Sequence, residues 1–508
     1  MAGCHTHSIG LTVICDDFKT LRLAHKKDRA LVFRGDEFSA AQVDEAAERL
    51  AAALSGLGVT MRHRIGILFG NSPLFVCSLL AVIKLRASAV LLSPNCTKYE
   101  LEGYIRDTGI RLLLSEKKND QLLQALAARS RLVHQDMYVD YGHINAWGLD
   151  DEGLRGEIVD VPPEWTEKEL TLQFTSGVGG KSKIVPRSYA NLAEELNSFS
   201  RSLGITDKDV VLCPAPLFHT YGLVNGFLLP FFAGADVILM DWFMPNDLVE
   251  AVQQYRPTIL IGVPIMYKMV AGTYTERPAD FSSLRVCFSA GAKLSDDISR
   301  SFTRRYGLRI NQQYGSSETG VIAINLFEDG LDDAGSVGRP VSGRSIRIVD
   351  ENGGEVEKGR DGEITVHSRA TTRGYLHLDE LNRQKFRDGW YFTGDIGHVD
   401  RDGNLFITGR KSAFINVSGY KVDPAEVEGV LATHPNIRDC AVVGKAENSG
   451  DREVVKAYVV TGGSLSQADV IAYCKERLAS HKVPRQVEFI EQLPRSPTGK
   501  VLLKYLVG

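Results

Sequence analysis

The sequence has no surplus of either charge: its 508 residues hold 59 lysines and arginines against 63 aspartates and glutamates, a formal net charge of −4. Nucleic-acid binders usually carry a basic domain or stripe, so that class has no electrostatic support here. Paired cysteines are lacking as well. The eight cysteines, at positions 4, 15, 77, 96, 213, 287, 440 and 474, are scattered and form no CxxC pair. That spacing argues against a disulfide framework or a zinc ribbon and fits a reducing compartment. No long apolar run exists either. The most apolar stretch, from Leu223 to Met240, is broken by Asn225, Gly226, Pro230, Gly234 and Asp236. It reads as a buried helix followed by a buried strand rather than a membrane span. The opening MAGCHTHSIG has neither the basic nor the apolar region of a secretory signal, and the closing YLVG is not an organelle address. The expectation is a soluble, cytoplasmic protein.

What is present is ordinary globular material, with 44% hydrophobic and 24% charged residues. At roughly 150 residues per domain the length predicts two to four domains. Between Ala41 and Leu57 the apolar residues Val43, Ala46, Ala47, Leu50, Ala51 and Leu54 fall on one helix face that stops at Gly58. RIGILFG then reads as a buried strand, SPLFVCSLLAVIKL as a helix, ASAVLLSP as a strand, YELEGYIRDTG as a helix and IRLLLSE as a strand. Strands alternating with helices of this length mean βαβ units and a parallel sheet. The alternation resumes from Val210 to Ile322. Beyond Gly335 the texture becomes β-rich, with strand-like runs around Gly, Asp and Asn turns. From Ala425 a small α+β pattern follows, and ITGRKSAFINVSGYKV is the natural junction. The fold expectation is therefore α/β: a large body of βαβ-type parallel sheets with a β-rich subdomain, then a small α+β C-terminal domain.

Four local sequences could carry chemistry. LQFTSGVGGKSKIVPRS is a loop of glycines, hydroxyls and lysines, the composition that lets backbone N–H groups converge on an anion. It is not a Walker A loop, because Thr175 stands where the first glycine belongs, and it has no GxGxxG. Read alone, it is more simply a Gly/Ser surface loop with solvated lysines. NQQYGSSETG misses the GxSxG nucleophile elbow because Thr319 replaces the last glycine. Its Glu318 is either a metal ligand or a solvated carboxylate. DGWYFTGDIGHVDRDGNLFITGR sets Asp395 among glycines and closes a strand with Arg410. An aspartate so placed suits either the hydroxyls of a ribose or an ordinary turn. LPRSPTGKVLLKYL puts Gly499 and Lys500 behind a Pro/Ser/Thr loop, and such a lysine alone reads as surface charge.

Taken in order, these segments resemble the signatures of the adenylate-forming superfamily of acyl-CoA synthetases, aryl-CoA ligases, luciferases and adenylation domains. The resemblance runs from about Leu172 to Leu503. It joins the TSGVGGKSK loop, YGSSE, GWYFTGD, the GR of Gly409 and Arg410, GYKVDPAEVE and PRSPTGK. It implies a carboxylic acid attacking the α-phosphate of ATP, release of pyrophosphate, and transfer of the acyl group from AMP to a thiol.

By that resemblance Thr175, Ser176, Gly177, Gly179, Gly180 and Lys183 wrap the β- and γ-phosphates. Glu318 holds Mg²⁺, and Ser317 donates to the α-phosphate or to AMP. Gly291, Ala292, Gln313 and Tyr314 form the adenine slot, while Asp395 with Arg410 takes the ribose. Lys500 bridges the carboxylate and the α-phosphate. A small domain, 410–508, rotates on a hinge near 410–412 against the large domain, 1–409, and brings Gly419 in to admit a pantetheine arm. His219 in PLFHTYGL lines or gates the acyl pocket, with Tyr221, Asn225, Val263, Ala290, Gly315 and Val321 as further lining residues. The segment has no aspartate to bind a substrate ammonium, so an amino acid is not expected. The mostly apolar set points to a hydrocarbon or aromatic acid.

The chain departs from the family pattern at three places. Val178 and Gly179 replace two threonines, and Ser182 and Ile184 replace proline and glycine, so the phosphate loop has fewer hydroxyls. Ser412 takes the hinge position usually held by lysine or aspartate. Asn416, Val417 and Ser418 lack the lysine that some CoA ligases place before the loop glycine. CoA is the expected acceptor, with carrier-protein phosphopantetheine as the alternative. A non-catalytic nucleotide- or acyl-binding relative is the reading from another class. It has to explain why Glu318, Asp395, Arg410 and Lys500 are all kept.

Overall fold

Short runs of fully buried apolar residues build the two sheets of the large body, and helices cover them because both faces of such strands need burial. The computed structural model describes residues 28–116, 119, 123, 132–139, 142–149, 169–175, 183–274, 279–326, 335–411, 415–417, 420–422, 424–446, 453–478, 480–496, 499 and 501–506. In the first sheet Arg64–Leu68 pairs in parallel with Ser88–Leu92 on one side and Leu112–Ser115 on the other. Glu169–Thr175 continues the parallel set, and Lys183–Ser188 returns antiparallel as an edge. The antiparallel hairpin of Leu132–Val139 and Gly142–Leu149 completes seven strands.

The second sheet has nine strands. Its parallel centre runs Asn311–Ser316, Val286–Ser289, Ile259–Gly262, Val210–Cys213, Asp236–Leu239 and Leu31–Phe33. One large core lies between the sheets. It joins Ile65 and Ile67 of the first to Val211, Val237, Ile259 and Phe288 of the second, through helices Ala40–Gly56, Pro73–Lys84 and Tyr189–Leu203. The first of these helices matches its expected face. Ser39 and Gln42 close a capping box at its start, and Gly58, at φ +88°, turns the chain away after it.

The apolar stretch from Leu223 is a buried helix and then a buried strand, as its pattern predicts. The helix has a local departure: Gly222–Leu228 winds as a π-helix before the α-helical turn Leu229–Phe232. Glycine permits this packing. A Cβ on Gly222 would lie 2.3 Å from the Pro216 carbonyl oxygen, and one on Gly226 would lie 2.1 Å from Cys213 Sγ. π-Turns often mark functional sites, and this one immediately follows His219 and Tyr221.

The β-rich region is a five-stranded antiparallel sheet of Ser345–Val349, Gly362–His367, Trp390–Val399, Phe386–Arg387 and Leu405–Arg410. The C-terminal region sets the strands Ile437–Ala446, Glu453–Thr461 and Gln486–Phe489 beside helices Pro424–Ala432 and Gln467–Lys475, over an apolar core of its own. Among the described residues no helix is long and apolar enough to cross a membrane.

One buried ion pair ties the first sheet together. Arg64 Nε and Nη2 donate to the two oxygens of Glu169 at 2.5 and 2.9 Å, and Arg64 Nη1 donates to the Thr108 carbonyl at 2.8 Å. Both side chains are at most 3% exposed. Glu169→Ala strands the guanidinium without a counter-charge and is expected to cost roughly 3–5 kcal/mol. The double change Arg64→Met, Glu169→Leu is expected to recover most of that, as read from urea unfolding midpoints.

Candidate active site

The hairpin of Asn311–Ser316 and Gly320–Ile324 carries Ser317 and Glu318 in its turn. Its glycines are sterically required. A Cβ on Gly315 would sit 2.5 Å from the Gly320 carbonyl oxygen. One on Gly320, at φ +67°, would sit 2.2 Å from the Glu195 carboxyl carbon. Beneath the turn lies a buried ion pair, Arg187 and Glu195, at 0% and 1% exposure. Arg187 Nη2 donates to Glu195 at 2.7 Å and Nη1 donates to the Ser317 carbonyl at 3.1 Å. Glu195 in turn accepts the Val321 N–H at 3.1 Å. The turn backbone is thus held from below by charge-assisted hydrogen bonds.

Above it, the buried Glu318 carboxylate accepts a hydrogen bond from the Tyr375 hydroxyl at 2.7 Å, and that hydroxyl lies 3.2 Å from the Tyr391 hydroxyl. Burial raises the pKa of both phenols well above the ordinary value, and the Glu318 charge raises them further, so both hydroxyls keep their protons. Ser317 Oγ meets Thr220 Oγ1 at 3.1 Å, and Thr220 donates to Gln173 at 2.6 Å.

A second cluster comes from strand register. Asp395 and Arg410 are cross-strand partners, with Arg410 Nε 3.3 Å from Asp395 Oδ1. Tyr314 donates its hydroxyl to Asp395 Oδ2 at 2.6 Å. The buried Glu363 carboxylate accepts the Gly394 N–H at 3.1 Å and Lys411 Nζ at 2.8 Å, and it lies 3.9 Å from Lys385 Nζ. Lys183 joins the two clusters. Its ammonium sits 4.9 Å from the centroid of the Tyr375 ring, and its pKa is lowered by burial, a shift that the Glu318 charge opposes and the Arg410 charge furthers. Lys183 also pairs in register with Thr175 across their hairpin.

Part of the set expected at the acyl pocket and the adenine slot follows the carboxyl ends of parallel strands, the usual ligand-facing edge of such sheets. Val263 follows Ile259–Gly262, and Ala290, Gly291 and Ala292 follow Val286–Ser289. Val263, Ala290 and Val321 are buried, whereas Gly291 and Ala292 are exposed. Tyr221 spends its hydroxyl on the Phe288 carbonyl at 3.1 Å, which the Tyr267 hydroxyl also reaches at 2.6 Å. Asn225 donates to Gln313 at 2.8 Å, so the Gln313 side chain is turned toward the π-helix. At the far end of the chain, Arg495 Nη1 donates to the Gly499 carbonyl at 2.6 Å. Gly499 itself packs against helix Pro264–Gly272, where a Cβ would come within 2.7 Å of Ile265 Cγ2.

Of the residues singled out from sequence, Ser176, Gly177, Gly179, Gly180, Gly419 and Lys500 lie outside the described residues, as do Ser412 and Ser418. Among the others, Lys183, Glu318, Asp395 and Arg410 form one charged neighbourhood. Thr220, next to His219, meets Ser317, Tyr221 meets the end of the strand that Ala290 follows, and Asn225 meets Gln313.

Sequence reasoning missed Tyr375, Tyr391, Arg187, Glu195 and Glu363. Two of them left a signal. Arg187 interrupts the apolar strand KIVPRS, and Glu195 lies on the apolar helix face of Leu192, Leu196 and Phe199. A charge at a position that the periodicity assigns to the core implies a buried partner. Tyr375 and Tyr391 left none, since a tyrosine in an apolar segment looks like packing.

His219 generates a pH test. Its Nε2 is closed off from solvent and has no hydrogen-bond partner among the described residues. Burial lowers its pKa from 6.5 to about 4, so the ring is neutral at neutral pH. Between those values the unfolded chain holds more protons than the folded one. Stability contributed by the neutral ring is therefore full above pH 6.5 and lost as pH falls toward about 4. The loss is expected to reach about 3 kcal/mol. His219→Leu should flatten this slope, measured as denaturation midpoints across the acid range.

Comparison with known proteins places this geometry. The family model described as AMP-binding enzyme matches residues 21–376, and that of the AMP-binding enzyme C-terminal domain matches residues 426–500. The oxalate–CoA ligase of Arabidopsis thaliana is 30% identical over 472 residues, which is 91% of each chain. The 4-coumarate–CoA ligase 1 of Narcissus pseudonarcissus is 31% identical over 491 residues, covering 93% of this chain and 89% of that one. The solved o-succinylbenzoate CoA synthetase of Bacillus subtilis, bound to its acyl-adenylate intermediate, superposes with a TM-score of 0.79. The identity is 26%, over 96% of this chain and 97% of the other. The same enzyme solved with ATP and magnesium ion superposes equally well. With both domains matched and the fold shared over nearly its whole length, this chain belongs to the AMP-binding, adenylate-forming enzyme family.

Proposed function

We propose that the protein is an AMP-forming acid–thiol ligase that activates a small, uncharged-tailed aliphatic or aromatic carboxylic acid and transfers it to CoA. In the first step a carboxylate oxygen bonds to the α-phosphorus of ATP, the bond from that phosphorus to the β-bridging oxygen breaks, and pyrophosphate leaves. In the second, the thiol sulfur bonds to the acyl carbon, the acyl–oxygen bond breaks, and AMP leaves. No protein nucleophile is needed, so catalysis is positioning and charge neutralisation.

The observation that carries this reading is the convergence of Lys183, Glu318, Asp395 and Arg410 in one neighbourhood, with Ser317 tied through the Thr220 hydroxyl to the segment of His219 and Tyr221. Thr175, Ser176, Gly177, Gly179, Gly180 and Lys183 take the β- and γ-phosphates, and Ser317 donates to the α-phosphate. Asp395 receives the ribose hydroxyls in place of the Tyr314 hydroxyl that it now accepts, with Arg410 beside it. Gly291, Ala292 and the strand of Gln313 and Tyr314 border the adenine. Lys500, following the Gly499 turn, brings the carboxylate and the α-phosphate together.

The residues present fit a magnesium ion carried chiefly by the nucleotide. Glu318 is one buried carboxylate, and the described residues contain no group of three or more potential ligands. When bound, the ion supplies neutralisation of phosphate charge, and Glu318 is the residue that holds it.

The small domain, 410–508, turns on 410–412 between steps and presents Gly419 to the thiol arm. His219, neutral and with Nε2 closed off from solvent, lines or gates the acyl pocket. The free described cysteines suit a cytoplasmic setting. Since Asn416, Val417 and Ser418 supply no lysine to CoA, a phosphopantetheinylated carrier protein is the second acceptor to test.

Carboxylate-dependent exchange of labelled pyrophosphate into ATP, without thiol, tests the first step. Aromatic or fatty acids are expected to support exchange, and short dicarboxylates and amino acids are not. Lys500→Ala is expected to lose about 10²–10³ of the exchange rate while still thiolysing supplied acyl-adenylate. Silence across the panel overturns the aliphatic-or-aromatic substrate reading and leaves an acid outside the panel or a phosphate loop too altered to work, the second of which favours a binding relative.

A further inference from the structure

We propose that Tyr375 is a positioning residue of the nucleotide site. Its hydroxyl orients the Glu318 carboxylate toward a phosphate-bound divalent cation, and its ring face holds Lys183 ready for the phosphates. This rests on the reading of Glu318 and Lys183 given above.

Tyr375 is held more firmly than packing alone requires. On either side of it, Thr372 donates to the Pro186 carbonyl at 2.5 Å and the Leu376 N–H donates to the Ile184 carbonyl at 3.0 Å. Its own backbone is clasped by one amide. Asn382 Oδ1 accepts the Tyr375 N–H at 2.7 Å, and Nδ2 donates to the Tyr375 carbonyl at 2.8 Å. The ring packs edge-on against Phe386, with centroids 5.6 Å apart. From this fixed base the hydroxyl reaches Glu318 at 2.7 Å and is backed by Tyr391 at 3.2 Å.

The same segment holds the Glu318 backbone, since the Thr372 N–H donates to the Glu318 carbonyl at 2.7 Å. One short stretch of chain therefore fixes both ends of that residue. A carboxylate left to rotate would pay orientational entropy each time a cation arrived, and a fixed one does not.

The ring does separate work. Lys183 makes no ion pair within 4.0 Å among the described residues, and its ammonium rests 4.9 Å from the ring centroid instead. A half-buried ammonium over an aromatic face is stabilised less than one on a carboxylate, so it remains available to an arriving polyanion.

The two roles separate by mutation. Tyr375→Phe removes the hydroxyl and keeps the ring, whereas Tyr375→Leu removes both. Mn²⁺ is the probe, titrated into the full-length protein with ATP and without acid, and read by the paramagnetic resonance of free Mn²⁺. ATP affinity in excess chelator is measured separately. Tyr375→Phe is expected to weaken Mn²⁺ binding about tenfold, the worth of one charge-assisted hydrogen bond, and to leave chelator-ATP affinity unchanged. Tyr375→Leu is expected to weaken both.

Glu318→Gln is the control for the underlying reading. If it loses Mn²⁺ while Tyr375→Phe binds as wild type or tighter, the positioning role is overturned and the hydroxyl is structural. If Glu318→Gln binds Mn²⁺ as wild type, the metal reading of Glu318 fails and takes the proposal with it. Should Tyr375→Phe not fold, Tyr391→Phe serves, with a smaller loss of about threefold expected and no loss overturning the proposal.

Discussion

A carboxylate cannot approach a phosphate without meeting its charge, and that repulsion is the constraint around which the site is arranged. Two like unit charges 4 Å apart cost about 4 kcal/mol at the effective dielectric of a protein surface, and ATP presents several. Among the described residues Lys183, Lys385, Arg410 and Lys411 stand against Glu318, Glu363 and Asp395. Burial and mutual repulsion hold the ammonium pKa values of Lys183 and Lys385 down. An anion entering this neighbourhood would favour both ammonium ions in their charged form.

That arrangement depends on rigid support, which comes from outside the charged cleft. The turn bearing Ser317 and Glu318 rests on the buried pair Arg187–Glu195, and Gly320 leaves room for the Glu195 carboxylate where a side chain would collide. Arg344 adds a third charge to the network, with its own pKa lowered to about 10 by burial. Such a network is costly to bury and tolerates little displacement once formed. The cross-strand register of Asp395 and Arg410 fixes the other wall in the same way, through backbone hydrogen bonds rather than side-chain packing.

Much of the fold was legible in the sequence because periodicity reports burial. RIGIL and SAVLL read as buried strands and are buried at every position, and the helix face from Val43 to Leu54 lies in the core. The winding of Gly222–Leu228 was not legible. The π-turn goes with the close approach of Gly222 to Pro216 and of Gly226 to Cys213, contacts that no local pattern encodes. At the site, the motif residues Lys183, Glu318, Asp395 and Arg410 were visible as charges among glycines. Tyr375 and Tyr391 were not, because their importance lies in one hydroxyl each, reaching a carboxylate 57 residues away from Tyr375 in the chain. Long-range hydrogen bonds leave no periodic trace.

The most direct test follows the atoms. An acid carrying a heavy oxygen isotope in its carboxylate is incubated with ATP, CoA and the protein, and the products are analysed by mass spectrometry. Attack at the α-phosphorus should deliver one labelled oxygen to AMP and none to pyrophosphate. Label in inorganic phosphate accompanied by ADP would instead mean attack at the terminal phosphate, and would contradict adenylate formation as the activity of this site.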